Sequence, residues 1–108
     1  MNLDPDHFNS ILSGSKLYEL RVFDAKRKRL KLKDDIVLYE RGTQRTMVKT
    51  IIELSFFHSF REALVATNIN QILPNEPTVE SAIQVYESFP NYIENAKKYG
   101  VIRIKFKE

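Results

Sequence analysis

Apolar and polar positions alternate most regularly between residues 46 and 54, where Thr46, Val48, Thr50, Ile52 and Leu54 interleave with Met47, Lys49, Ile51 and Glu53. A period of two with so many β-branched side chains predicts a strand, because branching crowds a helical turn but packs well on a pleated surface. Shorter alternations predict three more. In the first, Leu17 and Tyr18 lead into Leu20 and Val22 set between Glu19, Arg21 and Phe23, so that Glu19 and Arg21 project from one face. The second is Ile36 to Tyr39 with Glu40, after the acidic turn Asp34-Asp35 and before a hairpin-like reversal at Arg41-Gly42. The third closes the chain with Val101, Ile102, Ile104 and Phe106 between Arg103, Lys105 and Lys107. Helical spacing appears elsewhere. Asp4 and Pro5 open a helix carrying Phe8, Ile11 and Leu12 on one face, stopped near Gly14. Ser59 followed by Glu62 predicts a capped helix from Phe60 to about Thr67 with Leu64 facing the core. After a polar loop holding Pro74, Asn75, Glu76 and Pro77, Thr78 caps a helix with Val79, Ala82, Ile83 and Tyr86 in register up to Phe89 and Pro90. A short helix from Tyr92 to Tyr99 ends at Gly100. Strands separated by short helices predict an α+β fold, a small barrel or strongly curved sheet with helices beside it.

Composition narrows this picture. The chain has 108 residues, 43% of them hydrophobic, which is enough for one core, and no repeat or linker interrupts it, so a single domain over 1–108 is expected. With no cysteine and no basic-then-apolar leader, a reducing, cytoplasmic setting is expected. The densest apolar run, Met47 to Phe57, is broken by Lys49, Thr50, Glu53 and Ser55 and is far short of the roughly 20 residues that cross a bilayer, so no membrane partner is expected. His7 and His58 are isolated from one another, and the three glycines form no phosphate-cradling loop, so neither a metal nor another cofactor is expected.

Charge changes the picture more. Residues 21 to 33 hold seven Lys/Arg against Asp24 alone, a local +6 within a chain of net +3, and the remainder is therefore −3. Such a patch attracts polyanions, although lysines also guard solvated strand edges against aggregation. Within it Lys26, Arg27, Lys28 and Arg29 precede Leu30, Lys31, Leu32 and Lys33, a pattern that predicts an edge strand or an extended loop.

The densest candidate chemistry is Gly14-x-Lys16-x-x-Glu19-x-Arg21, running from a helix end into a strand. Lys16 offers a mobile ammonium, Arg21 a planar fork for phosphate, carboxylate or a base edge, and Glu19 an acceptor, a proton-transfer group or a clamp for both cations. A structural ion pair fits the same spacing. The segment resembles that of the ASCH family, and the likeness runs on through Ile36 to Leu38, the strand ending near Leu54, Ser59-Phe60-Arg61-Glu62 and Tyr99-Gly100-Val101. It implies a small PUA-like β-barrel with flanking short helices. Where that family commonly has Gly-Asp this chain has Asp34-Asp35, so a different turn is expected there.

The resemblance also implies a cleft beside this strand that receives RNA or a nucleotide, with Lys16, Glu19 and Arg21 as ligand-binding residues. Lys26, Arg27, Lys28 and Arg29 would form its phosphate-facing flank. Tyr18, Tyr39 and Phe57 would then stack on a base or sit in the core. Some small ASCH-like proteins are amidohydrolases of acetylated cytidine, with a lysine, a threonine three residues later and a distant glutamate. Lys16 matches the lysine, Glu19 stands at the threonine position, and Glu76 lies where the distant acid would be. A carboxylate there cannot serve as the hydroxyl. RNA cleavage by the same cluster, or an acidic protein partner for the basic run, are the other readings.

Overall fold

The regular alternation from Thr46 builds a strand longer than the pattern marked. In the computed structural model, which describes all 108 residues, it runs Thr46–Phe57 and is the spine of the sheet. The elements in chain order are β1 (Asn2–Leu3), α1 (Pro5–Leu12), β2 (Tyr18–Val22), β3 (Asp35–Glu40), β4 (Thr46–Phe57), α2 (Phe60–Val65), α3 (Val79–Glu87), α4 (Tyr92–Tyr99) and β5 (Val101–Phe106). The strands lie in the order β1-β3-β4-β5-β2, antiparallel except for β1, which runs parallel to β3. The near half of β4 pairs with β3 and the far half with β5, and the register shifts between Ile51 and Glu53. A bulge there adds twist, and the sheet curls into a half-barrel of the PUA-like kind.

Curling divides the apolar residues into two cores. Inside the curl, Leu38, Ile51, Ile102, Ile104 and Phe106 meet Phe8 and Ile11 of α1, which closes that end. On the outer face Leu20, Val22 and Val101 are covered by Phe60 and Leu64 of α2, Ala82, Ile83 and Tyr86 of α3, and Ala96 of α4. Because Glu19 pairs with Ile104 and Arg21 with Ile102, both charged residues share the inner face and stand at the mouth of the curl.

Two local readings are corrected. The run from Lys26 to Lys33 is neither an edge strand nor fully extended: Arg27–Arg29 form a 3₁₀ turn. Asp24 is the cause, its carboxylate and carbonyl both accepting from the Arg27 backbone N–H (3.2 and 3.0 Å), and Leu30 packs against the inner core while Leu32 stays exposed. The turn before β3 places its left-handed residue at Lys33 (φ 71°) rather than at Asp34, whose carboxylate accepts from the Lys31 N–H at 3.1 Å. No helix is long and apolar enough to cross a membrane.

Candidate functional site

The geometry of the Lys16, Glu19 and Arg21 segment begins at the end of α1. Gly14 adopts φ 87°, a left-handed turn that costs glycine nothing, and the chain doubles back so that the Lys16 N–H reaches the Ser10 carbonyl at 3.0 Å. The Lys16 side chain is thereby sent inward. It is 1% exposed, donates to the Ile72 carbonyl and lies 3.1 Å from Glu19 Oε1, so it is an enclosed clamp and not the mobile ammonium expected from sequence. Arg21 grips the other carboxylate oxygen of Glu19 through Nε (3.1 Å) and Nη2 (2.9 Å), and Nη2 also donates to the Asn2 carbonyl at 2.7 Å. Nη1 takes no part in these bonds.

This triad carries a net +1 in a buried setting. Burial pushes the Glu19 carboxyl up, but Lys16, Arg21 and His7 outweigh it and hold the group at about 2, so the carboxylate is ionised at any ordinary pH. Burial pulls Lys16 down, against the attraction of Glu19. His7 is also pulled down, by burial first and then by Lys16, which favours neutral imidazole at pH 7. Arg21 is held above its usual value because Glu19 and Tyr92 outweigh its burial.

Glu19 and Arg21 open onto a cavity of about 230 Å³ between β1, the first turn of α1, β2 and the junction of α3 with α4. Asn2, His7, Tyr86, Phe89 and Tyr92 contribute to its walls, and Arg41, bridged to Asp4 at 3.2 Å, stands at the rim. Tyr86 and Tyr92 both stack nearly parallel on Phe60 (centroids 4.4 and 5.5 Å), which fixes the aromatic wall. The Tyr86 hydroxyl is buried and has no hydrogen-bond partner, and burial followed by the nearby Glu19 charge pushes its pKa well up. Buried hydroxyls are normally paired, so this one is an exception, carried by a residue that lines the cavity.

The other expected site residues are distributed differently. Lys26, Lys28 and Arg29 are exposed, and Arg27 is half-buried against Asp24. Lys26 and Arg27 line a second cavity with Tyr39, whereas Lys28 lies over the Phe23 ring at 5.7 Å. Glu76 lines a separate groove with Asp6 and His7, adjoining the first cavity through His7. Tyr18 and Phe57 flank the Arg103 guanidinium (4.9 and 5.2 Å), which binds Glu53, Ser55 and Thr67, so both rings are occupied structurally. His7, Tyr86, Tyr92 and Arg41 were not marked as site residues. Tyr86 reads from its spacing as core, and only its polar tip hinted otherwise.

Compared with known proteins, the sequence model of the ASCH domain matches residues 1–108. The chain belongs to the ASCH family. A comparison with curated proteins gave no match. Among solved structures this ASCH chain is similar to the crystal structure of hypothetical protein PH0355, at 28% identity and TM-score 0.83, covering 99% of this chain and 94% of that one. It is also similar to the solution NMR structure of protein PF0455 from Pyrococcus furiosus, at 29% identity and TM-score 0.74, covering 99% and 96%.

Proposed function

We propose that this ASCH chain binds a nucleotide of an RNA strand in the cavity beside β2, with Arg21 and Glu19 as its polar contacts and Lys16 as the buried group that holds Glu19. The observation that carries the reading is the unpaired Tyr86 hydroxyl in the wall of a cavity whose charged triad is net positive. A ligand acceptor satisfies the hydroxyl, Arg21 Nη1 supplies a charged donor, and Glu19 accepts from a base amino group. Membership of the ASCH family agrees with this ligand class.

The geometry favours binding over turnover of an acylated cytidine. A carboxylate held at about 2 by two cations is a weak base and stays ionised, so it neither takes nor gives a proton readily near neutral pH. Lys16 is enclosed by Glu19 and a backbone carbonyl, and no hydroxyl nucleophile stands at position 19.

Titration calorimetry with ribonucleoside monophosphates and short single-stranded RNA tests the reading, using Arg21→Lys and Tyr86→Phe. Arg21→Lys keeps the charge but loses the fork, and should weaken binding by at least about tenfold. Tyr86→Phe should weaken binding while leaving thermal stability equal or higher, because it deletes an unsatisfied buried hydroxyl. Unchanged affinity in both variants would sink the proposal.

A further inference from the structure

Near the first cavity, against Met1 just ahead of β1, lies a second of about 310 Å³. Its floor is apolar, from Leu30, Ile36 and Val37, and its polar edge is Lys26 and Arg27 from the 3₁₀ turn. Tyr39 stands in its wall with 47% of its surface exposed, high for a tyrosine on a paired strand. The ring is carried on a fixed backbone, since the Tyr39 N–H donates to the Met1 carbonyl at 2.9 Å. Tyr39 is also the cross-strand partner of Asn2, which lines the first cavity and whose carbonyl receives Arg21. Asn2 lines the first cavity and its chain neighbour Met1 lines the second, so the two cavities lie close together at the start of the chain. Burial first, and then Arg21, Lys26 and Arg27, depress the Met1 amino group, so all three cations act on this wall of the second cavity.

Resting on the nucleotide reading of the first cavity, we infer that the second is a subsite for the adjacent nucleotide of a single strand, with Tyr39 as the stacking platform and Lys26 and Arg27 beside the linking phosphate. The ligand class is therefore a single-stranded oligonucleotide and not a free nucleotide. An exposed aromatic flanked by cations gives sequence-tolerant affinity, because every base has a face to stack and every linkage a charge to neutralise.

The test is fluorescence anisotropy with labelled single-stranded RNA of about ten nucleotides, beside calorimetry with ribonucleoside monophosphates. It uses wild type, Tyr39→Ala, the double variant Lys26→Ala/Arg27→Ala, and Arg21→Lys. Tyr39 is exposed, so Tyr39→Ala should melt with the wild type, whereas the double variant also removes the Arg27–Asp24 pair and its melting is measured alongside. Tyr39→Ala should lower RNA affinity on the order of tenfold with monophosphate affinity unchanged. The double variant should lower RNA affinity and flatten the salt dependence by roughly one unit of slope. Wild-type RNA affinity in both, with binding lost in Arg21→Lys, would overturn the second subsite and leave the first cavity standing. RNA binding indifferent to Arg21→Lys as well, or absent from the wild type, would overturn both.

Discussion

At the scale of residues, the arrangement around Glu19 separates two roles that adjacent positions in sequence blur. Lys16 and Arg21 contact opposite oxygens of one carboxylate, but only Arg21 also lines the cavity. Removing a partner from a buried charge cluster is costly because it strands the remaining charge. Glu19→Gln removes the charge that both buried cations share and leaves one acceptor oxygen between them, and should destabilise the fold by about 3–5 kcal/mol. Lys16→Met leaves Glu19 still gripped by Arg21, so its cost should be smaller; urea unfolding midpoints in the reverse order would contradict this assignment. The spacing of Glu19 and Arg21 on one strand face was legible from sequence, since a period of two fixes it. The burial of Lys16 was not, because it depends on the Gly14 turn and on Ile72, 56 positions away. Tyr86 was legible as an inward-facing residue of α3 but not as an unsatisfied one, since hydrogen-bond accounting needs all the neighbours.

At the scale of elements, the strands and helices follow their local signals closely. Thr78 accepts from the Ser81 N–H at 3.1 Å and the Thr78 N–H donates in return to Ser81 Oγ at 3.3 Å, so Thr78→Ala should cost about 1 kcal/mol of thermal stability. At Ser59 the same device is modified: Ser59 caps Glu62, but the Glu62 carboxylate reaches back to the His58 N–H. Gly100 joins α4 to β5 at φ 81°, and a Cβ there would lie 3.1 Å from the Phe57 carbonyl oxygen. Gly100→Ala should therefore destabilise by about 1–3 kcal/mol in chemical denaturation, and a neutral result would show that this junction can relax. The elements that escaped the sequence reading are the short ones. Strand β1 has only two residues, too few for any period, yet it borders the first cavity; the turn at Arg27–Arg29 is set by Asp24 and not by the alternation of Leu30 and Leu32.

At the scale of the whole molecule, charge links stability to the site. Glu19 binds its proton less readily folded, at about 2, than at the ordinary 4.5, so its contribution is present above about pH 4.5 and is lost as pH falls from there through 2. A depressed His7 adds a loss that begins as pH falls below about 6.5. Unfolding free energy measured by urea should thus decline from neutral pH and steepen below pH 4.5, and a flat profile across the acid range would contradict the buried triad. A third cavity, about 530 Å³ with Lys97, Lys98 and the exposed Phe56 and Tyr99, is the competing basic surface, but it contains no buried charge and no unpaired hydroxyl. The most direct test of the central claim is a titration of isotope-labelled protein with single-stranded RNA, followed by backbone amide shifts. The account predicts saturable changes concentrated at Asn2 to His7, Glu19 to Arg21 and Phe89 to Tyr92, spreading to Tyr39 and the Lys26 turn. Changes confined to Lys97 to Gly100, or none at all, would contradict it.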